Sequence, residues 1–316
     1  MSASAKYAVS EPLKSNPPPP RPFLKWVGGK GRLLEQFQPL LPKGLRNGDL
    51  CYYAEPFLGG GALFFHLAGH SPIQQFFLSD INSSLIGLYR ILQLHPDKLL
   101  IELEKLSSSY LPLNDKDRKA FFLRNREQTN QLIRANKHDS IPLAASLIFL
   151  NRTCYNGLFR MNSSGAFNAP HGRYKNPRIA DRANLLIASA LLKKATLSTG
   201  DFTELGHLLQ KKKIPLKETF IYFDPPYLPV SKTSHFTAYS RAGFTEKDQV
   251  RLSELFAKLH HRGAKLMLSN SDPGNNFFEK LYQDSHFHFH RVQATRSINS
   301  KGDQRGPLSE LVITNY

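Results

Sequence analysis

Cysteine is scarce in this chain, with Cys51 and Cys154 the only two among 316 residues. Two thiols cannot build a disulfide framework, and they are too few for a cysteine-based zinc site. No apolar run approaches the ~18 residues that cross a bilayer, which excludes a membrane-spanning helix. No internal repeat is visible, which excludes a solenoid or propeller. The N-terminal stretch lacks the apolar core of a secretion signal and the arginine-rich pattern of a transit peptide. A cytoplasmic protein in a reducing compartment is therefore expected. Acidic residues are also few: Lys plus Arg number 42 and Asp plus Glu 25, a formal charge of +17. That surplus makes a polyanion, nucleic acid first, the expected partner.

The hydrophobic fraction, 41%, is that of a globular protein, and 316 residues can bury a large core without staples. Residues 1–20 are small, polar and end in four prolines, and read as a disordered tail. From Phe23 onward short apolar runs alternate with helical patterns. Strands are expected at Leu50–Glu55, Gln75–Asp80, Ala195–Thr199, Thr219–Asp224, Ala264–Ser269, His286–Ala294 and Ser309–Asn315. Helices are expected at Lys30–Leu41, Gly61–Ala68, Thr245–His261 and Gly274–Tyr282. Such alternation means βαβ units in a doubly wound, mostly parallel sheet with helices on both faces. Between the second and third strands the alternation stops. Residues Asn82–Leu150 look helical and carry basic and amide side chains such as Lys119, Arg124, Arg126, Gln131 and Arg134. Thr153–Gly172, with its Asn156-Gly157 pair, reads as a hairpin. This stretch reads as a second domain inserted into the α/β domain.

Glu55-Pro56-Phe57-Leu58-Gly59-Gly60-Gly61 follows an expected strand and opens an expected helix. Glycines there let a ligand approach the backbone, and the helix start offers free N–H groups. Phe64 replaces the third glycine of a dinucleotide fingerprint. Asp80 ends the next strand, 80 − 59 = 21 residues after Gly59, where a carboxylate can accept from both ribose hydroxyls. Both NAD and S-adenosylmethionine (AdoMet) fit these signals, and Asp80 could equally cap the following helix. Lys25-Trp26-Val27-Gly28-Gly29-Lys30-Gly31 is no P-loop, because Gly31 stands where Ser or Thr would hold magnesium. Trp26, the only tryptophan, reads as a buried anchor, and Lys30 as a partner for a ligand carboxylate.

Asp224-Pro225-Pro226-Tyr227 ends the strand-like run Phe220–Phe223. The tetrapeptide should occur by chance in roughly one chain in a thousand of this length. Its residue types suit transfer to an exocyclic amine. Such a nitrogen is a poor nucleophile because its lone pair is delocalised into the ring. Two acceptors, the Asp224 carboxylate and the Pro225 carbonyl held by Pro226, can fix both amine hydrogens and favour a pyramidal nitrogen. Tyr227 offers a face on which a base stacks, worth ~1–3 kcal/mol. In a duplex the base must first be flipped out.

With these motifs the sequence, from Phe23 to Tyr316, resembles the Dam-type DNA adenine-N6 methyltransferases of the D12 class, the group that recognises GATC. Phe23–Lys30, Glu55–Gly61, Leu78–Asn82 and Asp224–Tyr227 are similar to that family's motifs, as is Phe236-Thr237-Ala238-Tyr239. The resemblance implies a seven-stranded Rossmann-like methyltransferase sheet. It implies a catalytic group of Asp224, Pro225, Pro226 and Tyr227. AdoMet is then held by Trp26, Lys30, Glu55, Phe57, Gly59, Gly61, Asp80, Asp201, Phe202 and Asp224. The hairpin is similar to the family's recognition hairpin, which implies DNA contacts from Lys25, Arg152, Tyr155, Asn156, Leu158, Arg160 and Pro170. Ala169-Pro170-His171 departs from the usual Val-Pro-Phe or Val-Pro-Tyr. Residues 21–83 and 178–316 are thus expected to bind AdoMet, and 84–177 to recognise double-stranded DNA. A monomer without metal is expected, since adenine methylation needs none and the alternating His286, His288 and His290 read as the polar face of a strand. The rivals are an amino methyltransferase acting on RNA or cytosine N4, a non-catalytic DNA-binding relative and, most distantly, a dinucleotide oxidoreductase.

Overall fold

A computed structural model describes residues 19–26, 28–162, 165–227, 244–272, 276–294 and 308–316. Most of the expected tail and the Phe236–Tyr239 motif lie outside the described residues.

In chain order the elements are α1 (Leu34–Phe37), α2 (Gly44–Asn47), β1 (Tyr52–Glu55), α3 (Ala62–His70), β2 (Gln75–Asp80), α4 (Ser83–Leu94), α5 (Pro96–Tyr110), α6 (Asp115–Arg134) and α7 (Ile141–Thr153). There follow α8 (Arg182–Leu192), β3 (Ala195–Thr199), α9 (Leu205–Lys211), β4 (Thr219–Phe223), α10 (Glu246–His261), β5 (Lys265–Ser271), α11 (Phe277–Leu281), β6 (His288–Ala294) and β7 (Leu308–Thr314). The seven strands form one sheet in the order β3-β2-β1-β4-β5-β7-β6. β7 alone runs antiparallel to its neighbours β5 and β6. All seven expected strands are present, with ends shifted by a few residues.

The centre of the sheet is buried on both faces, so strands such as β1 and β4 read as nearly continuous apolar runs, whereas the edge strand β6 mixes polar and apolar residues. Successive residues divide between the faces. Tyr53, Phe76, Phe220 and Tyr222 join one core with α3, α4 and α8, whereas Ala54, Phe77, Ile221 and Phe223 join another with α9 and α10. The first core continues without a break into the helical insertion, through Leu99, Leu103, Tyr110, Phe122, Leu147 and Phe149. α4 packs on β2 and β3 and also on α7, so it joins the sheet to the inserted helices.

Four expectations are corrected. Lys30–Leu41 is not one helix but a short 3-10 turn at Lys30–Arg32, α1, and another turn at Gln38–Leu40. Pro39 has no N–H for a helical ladder, and Gly29 and Gly31 favour helix weakly. Thr153–Gly172 is not a regular hairpin: within it the described residues form a turn at Tyr155–Gly157 and isolated bridges Cys154↔His171 and Met161↔Phe167. β6 begins at His288, so His286 lies outside the strand. Helix α11 is also shorter than expected; its expected start, Gly274, lies outside the described residues.

The chain order creates the site. From β1 it steps outward through β2 and β3, then returns across β1 to β4 and β5. Ligands of open α/β sheets bind where that direction reverses, beyond the carboxyl ends of the strands.

Candidate active site

A cavity of about 750 Å³ lies at that reversal. Glu55 reaches it from the end of β1, Asp80 from β2, Asp201 from the turn after β3, and Asp224 to Tyr227 from β4. Trp26 and Gly28 to Gly31 close one side, and Phe159 and Met161 of the inserted loop form another part of the wall.

The loop after β1 is shaped by Trp26. Gly59 has φ +47°, and a Cβ there would lie 2.6 Å from Trp26 Nε1, so only glycine fits. Trp26 in turn packs on Phe159 with centroids 5.0 Å apart, which couples the glycine loop to the insertion. Asp80 holds this loop from beneath. Its Oδ2 accepts from the Gly59 N–H at 3.0 Å, and its Oδ1 from the Asn82 N–H at 2.9 Å. Burial pushes its carboxyl up, against these two bonds. The helix cap that Asp80 might have supplied is made by Asn82, whose side chain accepts from the Leu85 N–H at 3.1 Å. Ile81, between them, is 65% exposed and lines the cavity. Opposite lies an aromatic group: Phe57 stacks on Phe202 at 5.3 Å, and Phe244 contacts both. Asp201 caps its own turn through the Thr203 N–H at 3.0 Å and pairs with Arg251 at 2.7 Å.

Beyond β4 the prolines end the ladder, since neither has an N–H to donate. Asp224 is held from behind. Its Oδ1 accepts from Lys30 Nζ at 2.9 Å and from Ser269 Oγ at 3.0 Å. Among the described residues its Oδ2 has no protein partner, so one acceptor is left for a ligand. Lys30, expected to meet a ligand carboxylate, is 3% exposed and meets protein carboxylates instead. Its ammonium also bonds the Gly28 carbonyl at 2.9 Å and lies 4.5 Å from the centre of the Tyr227 ring. Ile81 falls within the Leu78–Asn82 motif without itself being an expected site residue, and no local pattern marks Ser269 as one.

Glu55 is buried and bonds the Tyr53 hydroxyl at 2.8 Å. Burial pushes its carboxyl up to about 8, with Tyr53 and the Phe64 N–H opposing and the Asp224 charge adding. Folding therefore retains a proton that the unfolded chain releases above about 4.5. The stability from this group is complete below that value and declines as pH rises to about 8. The loss is at most on the order of 1 kcal/mol per pH unit. Glu55→Gln, neutral at every pH, should melt near the wild type at pH 4.5 and above it at pH 8. A gap between the two melting temperatures that does not change with pH would contradict this assignment.

The loop that follows α7 is clamped at both ends. Asn151 Oδ1 accepts from the Lys25 N–H at 2.8 Å, while its Nδ2 donates to the carbonyls of Lys25 at 2.8 Å and Gly157 at 3.0 Å. On the returning side the buried Asn130 bonds both the N–H and the carbonyl of Phe167, at 2.7 and 3.2 Å. The His171 departure is accommodated by Tyr110, whose hydroxyl lies 2.7 Å from His171 Nε2. Tyr155, Asn156, Arg160 and Pro170 are exposed, and Leu158 is half-buried. Asn156 has φ +55°, a conformation asparagine tolerates. Lys25 lies 4.7 Å over the Tyr174 ring, and burial with the nearby Arg152 pulls its ammonium down. Arg152, expected at DNA, points its Nη2 at the Phe23 carbonyl, 2.6 Å away, and is half-buried. Its place is the joint between the N-terminal segment and α7.

The expected histidine row does not form, but His260, Asp284 and His286 converge with ligand atoms within 4.8 Å of one another. The Asn315 amide fixes the tautomer of one of them, His260. Its oxygen accepts from the Leu266 N–H at 2.7 Å and its nitrogen donates to the Ala264 carbonyl at 2.8 Å, so the same nitrogen must donate to His260 Nδ1. A neutral His260 then carries its proton on Nε2, the atom that would have to ligate a metal.

A family profile for the D12 class N6 adenine-specific DNA methyltransferases matches residues 26–298. The chain is 44% identical over 297 residues to the type II methyltransferase M.MjaIII of Methanocaldococcus jannaschii, covering 94% of this chain and 99% of that one. It is 38% identical over 303 residues to the type II methyltransferase M1.LlaDCHI of Lactococcus lactis subsp. cremoris, covering 94% and 95%. With the DNA adenine methylase of Escherichia coli K12 it shares 32% over 292 residues, covering 92% and 94%.

Proposed function

The chain belongs to the D12 class of N6 adenine-specific DNA methyltransferases, and from that premise we propose that it transfers the methyl group of AdoMet to N6 of an adenine flipped out of duplex DNA, in the sequence GATC. The observation that carries the cofactor reading is the set of polar groups in the cavity. Among the described residues it is lined by five carboxyl groups, of Glu55, Asp80, Asp201, Asp224 and Asp248, and by one lysine, Lys30. Lys30 is taken up by Asp224, Arg251 pairs with Asp201 and Asp248, and burial keeps Glu55 protonated up to about 8. No cation of that lining is left over for a pyrophosphate, whereas carboxyl oxygens remain to accept from ribose hydroxyls and from the ammonium group of AdoMet. The donor set therefore fits AdoMet rather than NAD.

In this reading AdoMet would be held through its ribose hydroxyls by Asp80, through its adenine by Ile81 and the Phe202 group, and at its methionine end by Glu55. When bound, AdoMet supplies an electrophilic methyl group on a cationic sulfur. The protein's task is to place a weak nucleophile against it. Lys30 and Ser269 fix one oxygen of Asp224, so its Oδ2 and the Pro225 carbonyl accept the two N6 hydrogens. Tyr227 fixes the plane of the base. Holding both reactants in line supplies most of the acceleration. Asp224 Oδ2 then stands beside the proton that N6 must shed after transfer.

Recognition falls to residues 84–177, whose loop contributes Phe159 and Met161 to the cavity wall. Arg160 is prepared for a base. Its Nε and Nη2 bond the side-chain and main-chain oxygens of Asn168 at 2.8 and 3.2 Å. One edge of the guanidinium is thus anchored, and the other edge is left to make the paired contact to O6 and N7 of a guanine. Arg160→Ala should cost ~1–3 kcal/mol at that base and relax discrimination there. Comparing methylation of GATC with each single-base variant at fixed salt tests this. Equal slowing at all sites would make Arg160 a phosphate contact. A wild type that prefers another sequence would remove GATC while leaving adenine methylation intact.

A further inference from the structure

Glu310 has no part in the reading above, and the sheet topology brings it to the reacting centre. The parallel strands deliver their last residues to the cavity edge. β7 runs the other way, so its first residues arrive there, and Glu310 lies opposite Ser271 of β5 and Val292 of β6. The Tyr227 hydroxyl donates to Glu310 Oε2 at 2.7 Å. The same oxygen lies 3.8 Å from Lys30 Nζ, which bonds Asp224 at 2.9 Å and covers one face of the Tyr227 ring. Glu310, Tyr227, Lys30 and Asp224 therefore form a closed circuit drawn from three separate parts of the chain.

We propose that Glu310 is a positioning residue for the target adenine and acts through Tyr227. The proposal rests on the reading of Tyr227 as the platform for the flipped base. A tyrosine side chain turns about two bonds, and a stacking platform must hold one plane within about 10–20°. Pro225 and Pro226 stiffen the backbone that carries the ring, and Glu310 anchors its far end. With Lys30 over one face, the base takes the other. Burial pushes the Glu310 carboxyl up while Lys30 opposes, and either protonation state leaves an oxygen able to accept from the tyrosine.

The test is single-turnover methyl transfer to unmethylated duplex DNA at saturating AdoMet, with AdoMet affinity measured by calorimetry. Glu310→Ala should slow transfer ~10-fold with AdoMet affinity unchanged, a loss of orientation rather than of binding. Tyr227→Phe, which removes the same hydrogen bond and keeps the ring, should slow it to a similar extent. The double variant should be no slower than either single one, because both remove one interaction. Glu310→Gln, which keeps an acceptor, should recover most of the rate, and it serves also if the alanine variant folds poorly. Wild-type rates in Glu310→Ala, or losses that multiply in the double variant, would overturn the proposal alone. A wild type that puts no methyl on adenine would overturn the underlying reading, and the proposal with it.

Discussion

Replacing Asp224 with alanine should lower methyl transfer by at least ~10²-fold, the usual size of loss when a strong polar group is removed at a reacting centre. Its Oδ1 is committed to Lys30 and Ser269, at 2.9 and 3.0 Å, which aims the second oxygen at the ligand. The variant loses an acceptor for the adenine amine and leaves Lys30 with Glu310 as its remaining carboxylate, 3.8 Å away. AdoMet affinity should change far less than the rate, because Asp224 serves the amine before it serves the cofactor. Asp224→Asn, which preserves the volume, separates chemistry from folding. A single-turnover rate near wild type in either variant would remove Asp224 from the mechanism.

Asp80→Ala should have the opposite profile, with AdoMet affinity falling by about 10²-fold, the equivalent of one or two hydrogen bonds to a charged group. Two losses combine. The ribose loses its acceptors, and the glycine loop loses the bonds that Asp80 makes to the N–H groups of Gly59 and Asn82. Calorimetry on the DNA-free enzyme reads this directly, and transfer at saturating AdoMet should recover much of its rate. Unchanged affinity would contradict the ribose assignment.

These two residues show what the sequence makes legible. Asp80 and Asp224 each end a strand of strong apolar pattern, so a period and a motif locate them without any long-range contact. The strands were legible for the same reason: a sheet buried on both faces writes itself as short apolar runs bounded by turn residues. What local pattern cannot carry is pairing across the chain. Glu310 and Ser269 look like ordinary polar residues in strands; the parallel pairing of β5 with β4 brings Ser269 beside Asp224, and the antiparallel placement of β7 on β5 brings Glu310 beside Tyr227. Asn130 reads as one more polar residue on a basic helix, yet it is buried and holds the inserted loop at Phe167. Arg152 shows the converse, since a basic residue beside an exposed loop invites a DNA role while its guanidinium donates to the Phe23 carbonyl. Lys30 was legible as a site residue but not by its partner, because the two carboxylates it meets lie about 200 and 280 positions away, a separation that no local spacing rule reaches.

On the proposed function, the Asp224–Tyr227 edge of the cavity receives an adenine from duplex DNA and an AdoMet methyl group. The most direct measurement incubates the protein with unmethylated duplex DNA and methyl-labelled AdoMet, digests the DNA to nucleosides and separates them. The label should elute as N6-methyldeoxyadenosine. Label in N4-methyldeoxycytidine, or DNA left unlabelled by folded protein that binds AdoMet, would contradict it.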